Sequence, residues 1–224
     1  MLTNLFNSPL ITIVVLIFSV VLHEIAHGYV ADKLGDPTAR LQGRLTLNPV
    51  SHIDPLMSIL FPLILILSNS PVIFGAAKPV PVDPYNFRNP KKDMGIVAAA
   101  GPIMFFLLAL LGSFLLRIVY FGLIFPDGLV SFIAAISINL IQINLMLMFF
   151  NLIPIPPLDG SRILASVLSD EQAEGLMRLE PYGFFIILFL LMFPLPFLNI
   201  SIIVNNLTSL FIRFLVVFPS SGLI

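Results

Sequence analysis

The chain is expected to fold as an all-α polytopic membrane protein with about five to six hydrophobic segments, one of them short or re-entrant, and a small extended loop or sheet after the first span. Three observations carry this expectation. Of the 224 residues, 58% are hydrophobic and 10% charged, where a soluble domain carries about a quarter charged residues. The apolar residues gather into runs long enough to cross a bilayer. Between the runs no polar, Gly/Ser-rich or repetitive stretch is long enough to act as a linker, so residues 1–224 read as a single membrane-embedded domain.

The first run, residues 9–31, gives about 23 residues and roughly 34 Å of helix, enough to cross the hydrocarbon with some tilt. It reads as a retained span, because no Lys or Arg precedes Lys33, no A-x-A-like site follows, and the apolar pattern continues through Ile25, Ala26, Tyr29 and Val30. Residues 32–54 are polar and contain Gly35, Pro37, Gly43 and Pro49. They predict a surface loop with short extended pieces around 40–47. Residues 55–67 are apolar but number only about 13 and contain Pro62, a length typical of a re-entrant or interfacial segment. Residues 68–93 form a Pro-rich loop with a basic end at Lys78, Arg88, Lys91 and Lys92.

Two longer runs follow. Residues 94–124 predict a second span with Arg117 near its far end, and residues 129–152 a third without any charge. The short turn 125–128 makes them neighbours. After a polar stretch from Asp159 to Glu180, residues 182–218 are apolar but broken by Pro194, Pro196 and the Asn205/Asn206 pair, giving either two short spans or a hairpin. Basic residues crowd the segments after span one and before span two, and the positive-inside rule places both on the cytoplasmic side.

Composition also removes function classes. A net charge of -1 leaves no basic face to follow phosphates, so nucleic acid is not a partner. The chain has no cysteine, which excludes disulfides and thiolate metal sites and leaves His, Asp or Glu to hold any metal.

Residues 23 to 27 read His-Glu-Ile-Ala-His. On a helix, positions i and i+4 share a face, so His23 and His27 reach one Zn²⁺ while Glu24 lies beside it. That arrangement suits a hydrolase in which zinc activates water and Glu24 takes its proton, then passes it to the leaving amine. Three ionisable residues on one turn of a membrane span are costly and point to function. The competing readings are a metal transporter, disfavoured because the histidines cluster on one turn instead of lining a route, and a catalytically silent protein that binds membrane proteins.

A catalytic zinc takes a third protein ligand and keeps a position for water. The remaining histidine is His52, and no Glu lies between Ile25 and Asp170, so an Asp is the better candidate. Asp159 stands out in Asn151-Leu-Ile-Pro-Ile-Pro-Pro-Leu-Asp159-Gly160, where three prolines open the backbone, and irregular backbone at membrane depth is tolerated only where buried or lining a cavity. The same stretch also reads as a helix-ending Asp-Gly turn at the membrane surface. His52 and Asp54 read as loop-structuring residues.

These residues resemble the site-2 protease family of intramembrane zinc metalloproteases. His-Glu-Ile-Ala-His, Lys78-Pro79-Val80-Pro81-Val82, Ala100-Gly101-Pro102 and the stretch from Asn151 to Gly160 fall in the family's order. The chain is similar to the small branch that lacks a PDZ domain and a nucleotide-binding tail. The resemblance implies one zinc per chain, Asp159 as its third ligand, and Asn151 and Pro157 as residues that position the substrate strand or reacting carbonyl. It also implies a transmembrane or membrane-associated protein substrate cut near the cytoplasmic face of what is expected to be a prokaryotic cytoplasmic membrane. The substrate helix would first unwind and pair with a strand edge, for which residues 40–47 are the expected segment. One departure stands out: relatives carry Asn three residues after the Gly-Pro pair, whereas this span reads Gly101-Pro102-Ile103-Met104-Phe105-Phe106.

Overall fold

The computed structural model describes residues 8–68, 75–120, 126–193 and 199–216. Helix α1 covers Pro9–Leu34, with Pro9 in the first turn, where its missing N–H costs nothing, and ends at Gly35, whose φ of 114° carries the chain into the left-handed region. The span therefore runs three residues past the expected boundary at 31. A short helix α2, Thr38–Leu41, follows, then a 3-10 turn at Pro49–His52. Helix α3, Pro55–Leu67, opens with a π turn; its 13 residues give about 20 Å, short of the roughly 30 Å hydrocarbon core.

Helix α4, Pro90–Tyr120, is the hub of the molecule and packs against α1, α5 and α6. It begins four residues before the expected start at 94, because the Asn89 N–H donates to Asp93 Oδ2 at 2.9 Å and closes the first turn. Helix α5 is Asp127–Asn151. The stretch expected as a polar loop after it contains α6, Asp159–Val167, and α7, Asp170–Met177, the latter opened by a capping box between Ser169 and Gln172. The C-terminal apolar region forms α8, Glu180–Met192, and α9, Ile200–Leu215. Pro194, Pro196, Phe218, residues 121–124 of the expected second span and Phe125 of the turn after it lie outside the described residues.

Among the described residues, three helices are long and apolar enough to cross a membrane: Pro9–Leu34, Pro90–Tyr120 and Gly128–Asn151, with mean hydropathies of 2.3, 2.4 and 2.0. A fourth crossing is available to α7 and α8 together, bent by 64°. Leu10, Ile13, Val14, Ile17 and Phe18 of α1 and Ile103, Leu107 and Phe114 of α4 are exposed, as lipid-facing surfaces are, while small residues mediate helix contact. A Cβ on Gly112 would come within 2.8 Å of the Ser137 carbonyl oxygen of α5.

The expected sheet is corrected by the structure. Among the described residues there is no strand, and residues 40–47 begin inside α2 and continue as turns. The cause is local. Buried Asp36 accepts bonds from both the N–H and the hydroxyl of Thr38, which winds the chain, and Gly43 reverses it at a φ of 65°. Leu45 then packs on Gly28, where a Cβ would approach its Cδ2 to 2.6 Å. The segment without regular structure lies later, at 75–83, where Pro79, Pro81 and Pro84 hold the preceding residues extended. Its N–H groups reach partners outside the segment: Ala76 donates to the Met57 carbonyl, Lys78 to the His52 carbonyl and Asp83 to Asp36 Oδ2.

Candidate metal centre

His23 and His27 lie one turn apart on the face of α1 that meets α4. Their Nε2 atoms are 3.1 Å apart. Asp159, in the first turn of α6, brings Oδ2 to 3.5 Å from His23 Nε2 and Oδ1 to 3.3 Å from His27 Nε2. Among the described residues these three form the group able to hold a metal ion, with ligand atoms all within 4.8 Å of one another. Zinc bonds of about 2.0–2.1 Å place the corners of a tetrahedron about 3.3 Å apart, close to the separation of the two Nε2 atoms and to that of each from its nearer Asp159 oxygen. Asp159 Oδ2 is buried and has no hydrogen-bond partner, the mark of an acceptor made for a cation.

Three backbone features build this cluster. Gly101 lets α4 approach the histidines: a Cβ there would lie 2.3 Å from His23 Cε1 and 2.5 Å from both His23 Nδ1 and His27 Nε2. Gly160 lets α6 start directly against the end of α5, since a Cβ would lie 2.2 Å from the Leu152 carbonyl oxygen. The Pro156–Pro157 region is covered by α8, whose Gly183 packs on the Pro156 carbonyl. The expected alternative, a simple surface turn at Asp159-Gly160, does not describe this contact.

The two histidines are held differently. His27 Nδ1 lies 2.8 Å from the Val97 carbonyl, the kind of outer contact that orients a metal-binding imidazole. His23 Nδ1 is buried and makes no well-formed hydrogen bond; its ring stacks on Phe105, with centroids 4.4 Å apart and planes 18° from parallel. Phe105 occupies the position three residues after the Gly-Pro pair.

Glu24 points toward the segment 75–83, and its Oε2 accepts the Val80 N–H at 2.8 Å. Around these groups is a cavity of about 530 Å³ lined by His23, Glu24, His27, Asp159, Asn151 and Pro157, among others. The structure thus brings every expected site residue to one cavity. Asn151 Nδ2 donates to the Leu147 carbonyl at 2.9 Å, one turn back. His52 stands apart from the triad; its Nε2 is 2.9 Å from the Thr46 carbonyl, and it ties loop to loop. Asp54 caps α3 through the N–H groups of Leu56 and Met57.

Sequence reasoning missed Val80, Val97 and Phe105. Val97 acts through a carbonyl that every residue type carries, and no signal marks it. Val80 had one: between Pro79 and Pro81 it is the residue with an N–H to give.

Comparison with known proteins agrees with the chemistry of this donor set. The model of peptidase family M50 matches residues 127–194, which include Asn151, Pro157 and Asp159. The chain is similar to YwhC of Bacillus subtilis, named as a candidate zinc metalloprotease, at 42% identity over 82% of this chain and 80% of that protein. It is also similar to Rip2 of Mycolicibacterium smegmatis, with the same naming, at 29% identity over 80% of this chain and 65% of Rip2. Zinc metalloprotease MJ0392 of Methanocaldococcus jannaschii is 29% identical over 90% of this chain and 47% of its own length. No solved structure matches. The chain therefore spans most of YwhC, about two thirds of Rip2 and about half of MJ0392. Two imidazoles and a carboxylate at zinc spacing, on helices long enough to span a membrane, belong with these relatives: the chain is a member of peptidase family M50, a zinc metalloprotease of the membrane.

Proposed function

We propose that His23, His27 and Asp159 hold the zinc, that Glu24 is the proton-transfer residue, and that the enzyme hydrolyses peptide bonds of transmembrane or membrane-associated proteins at a site facing the cytoplasm. The observation that carries this reading is the convergence of His23, His27 and Asp159 within 4.8 Å, 132 positions separating Asp159 from His27, with Glu24 on the same turn of α1. When bound, zinc supplies a Lewis acid for the scissile carbonyl and the attacking water. Glu24 is anchored through Oε2 by Val80, so its second oxygen is the one that takes the water's proton and delivers it to the leaving amide nitrogen. Partial burial among α1, α4 and α6 lowers the local dielectric, which strengthens these charge interactions.

The substrate must arrive unwound, because helical carbonyls are tied up in i to i-4 bonds. The segment 75–82 supplies cavity-lining backbone beside Glu24, and it replaces residues 40–47 as the docking edge. Pro79 and Pro81 have carbonyls there but no N–H; the Pro79 carbonyl accepts from Arg44 Nη2 at 3.3 Å and keeps a second lone pair, so this edge takes up substrate N–H groups and leaves the substrate's carbonyls open to attack. Asn151 has a second amide hydrogen beyond the one given to Leu147, suited to a substrate carbonyl, and exposed Pro157 forms the cavity wall beside it. The basic residues Arg44, Lys78, Arg88, Lys91 and Lys92 flank these loops and support a cytoplasmic orientation.

The test compares wild type, Glu24→Gln and Asp159→Asn for zinc content and for cleavage of a transmembrane reporter. Glu24→Gln is expected to keep one zinc, because glutamine can still accept from Val80, while cleavage falls by about 10²–10⁴. Asp159→Asn is expected to lose zinc. A Glu24→Gln enzyme that cleaves at the wild-type rate, or an Asp159→Asn variant with undiminished zinc affinity, overturns the assignment.

A further inference from the structure

The asymmetry between the two histidines points to a role for Phe105. An imidazole presents its nitrogen lone pair in the plane of the ring, so a metal-binding histidine needs its plane and its in-plane rotation held. His27 has both from the Val97 carbonyl at 2.8 Å. His23 has no bond of that quality: its Nδ1 is buried without a well-formed hydrogen bond, and the polar group beside it is the Gly101 backbone. One face of that ring is covered by an apolar ring. Phe105, 1% exposed, lies 18° from parallel to it at 4.4 Å, and Gly101, one turn earlier on α4, lies against its Cε1–Nδ1 edge, with room for no Cβ. Stacking fixes the plane of the ring, and the wall at Gly101 limits its rotation within that plane.

We infer that Phe105 is a positioning residue for the zinc site, holding His23 by ring stacking where its Nδ1 lacks the well-formed hydrogen bond that His27 makes with the Val97 carbonyl. Phe105 does not touch substrate in this role; it acts through His23. The inference rests on the proposed ligand set. Phe105 also belongs to the core cluster with Ala109, Ile141, Leu145 and Met148, so the test must separate metal positioning from general packing.

The experiment measures resistance of bound zinc to a competing chelator, and the visible absorption of the cobalt-substituted protein, in wild type, Phe105→Leu, Ile141→Val and His23→Ala. Phe105→Leu removes the flat face while keeping an apolar side chain, and Phe105→Met takes its place where the leucine variant does not fold. Loss of an orienting contact lowers metal affinity about 10–100-fold. Phe105→Leu is expected to show that loss and an altered cobalt spectrum, whereas Ile141→Val, which loosens the same cluster without touching His23, keeps wild-type chelator resistance. Phe105→Leu with wild-type resistance and an unchanged spectrum overturns the inference, and so does an Ile141→Val variant that loses zinc equally. If His23→Ala holds zinc as wild type does, the ligand assignment itself fails; if His23→Ala loses zinc while Phe105→Leu keeps it, the positioning role alone fails.

Discussion

An alanine at position 101 would carry a Cβ 2.3 Å from His23 Cε1, 2.5 Å from His23 Nδ1 and 2.5 Å from His27 Nε2. Ordinary carbon contacts begin near 3.5 Å, so the rings or α4 must retreat by about 1 Å. Ligand positions in a zinc site tolerate about 0.2 Å, several times less than that retreat. Folding responds far less. The overpacking costs about 1–3 kcal/mol, while exchanging glycine for alanine inside a helix returns about 1 kcal/mol. Gly101→Ala is therefore expected to shift thermal unfolding by only a few degrees while zinc affinity falls by at least 10-fold and cleavage is lost with it. The assay dialyses wild type and variant against graded chelator, counts zinc per chain and follows unfolding of the same samples. A Gly101→Ala protein that keeps one zinc at wild-type chelator concentrations would show that α4 does not set the position of the histidines. A variant that simply fails to fold would place Gly101 in packing instead.

Two further perturbations separate the parts of the site. Val80→Pro deletes the N–H that holds Glu24 Oε2 at 2.8 Å; a hydrogen bond to a charged group is worth about 1.5–3 kcal/mol, so kcat is expected to fall about 10–100-fold with zinc content unchanged, and an unaltered kcat would remove Val80 from the mechanism. Asp36, outside the spans, is fully buried: burial alone would push its carboxyl up, but bonds from the Thr38 hydroxyl, the Asp83 N–H, the Asn86 amide and the Thr38 N–H outweigh it and hold the group below the usual carboxylate range. A lowered folded-state value means the carboxylate stabilises the fold above the unfolded value, about 3.9, and that this contribution is lost as pH falls through the folded value. Wild type should thus lose stability relative to Asp36→Ala as pH drops below about 4, with a gap above pH 5 of at least 1–3 kcal/mol from the unpaired donors; a gap that does not change with pH counts against the carboxylate as its source.

The contrast between segments 40–47 and 75–83 shows where reading the chain alone ran short. Both are punctuated by glycine or proline, and local propensity favoured the first as the extended piece. Its conformation is decided by Asp36, a carboxylate buried at the end of α1 whose partners Asp83 and Asn86 lie almost fifty residues away. That long-range network winds 38–41 into a helix and at the same time ties the later segment across Glu24. The length of the polar stretch after Asp159 was clear, but its division into α6 and α7 depended on a capping box and on Lys91 of α4, which reaches the Leu168 carbonyl and Asp170.

The amino-acid sequence by itself determined the membrane class, the three long spans and the pair His23 and His27 with Glu24 between them, because hydropathy and i, i+4 geometry are properties of a single helix. It also limited the third ligand to a few acids by supplying no cysteine and no nearby glutamate. Tertiary structure alone decided that Asp159 meets the histidines, that Gly101 and Gly160 permit the approach, and that Val80, Val97 and Phe105 hold the site from outside. Those contacts join residues as much as 136 positions apart, His23 to Asp159. They exist only where packed helices bring a carbonyl, an N–H or a ring face to a spot that no local pattern encodes.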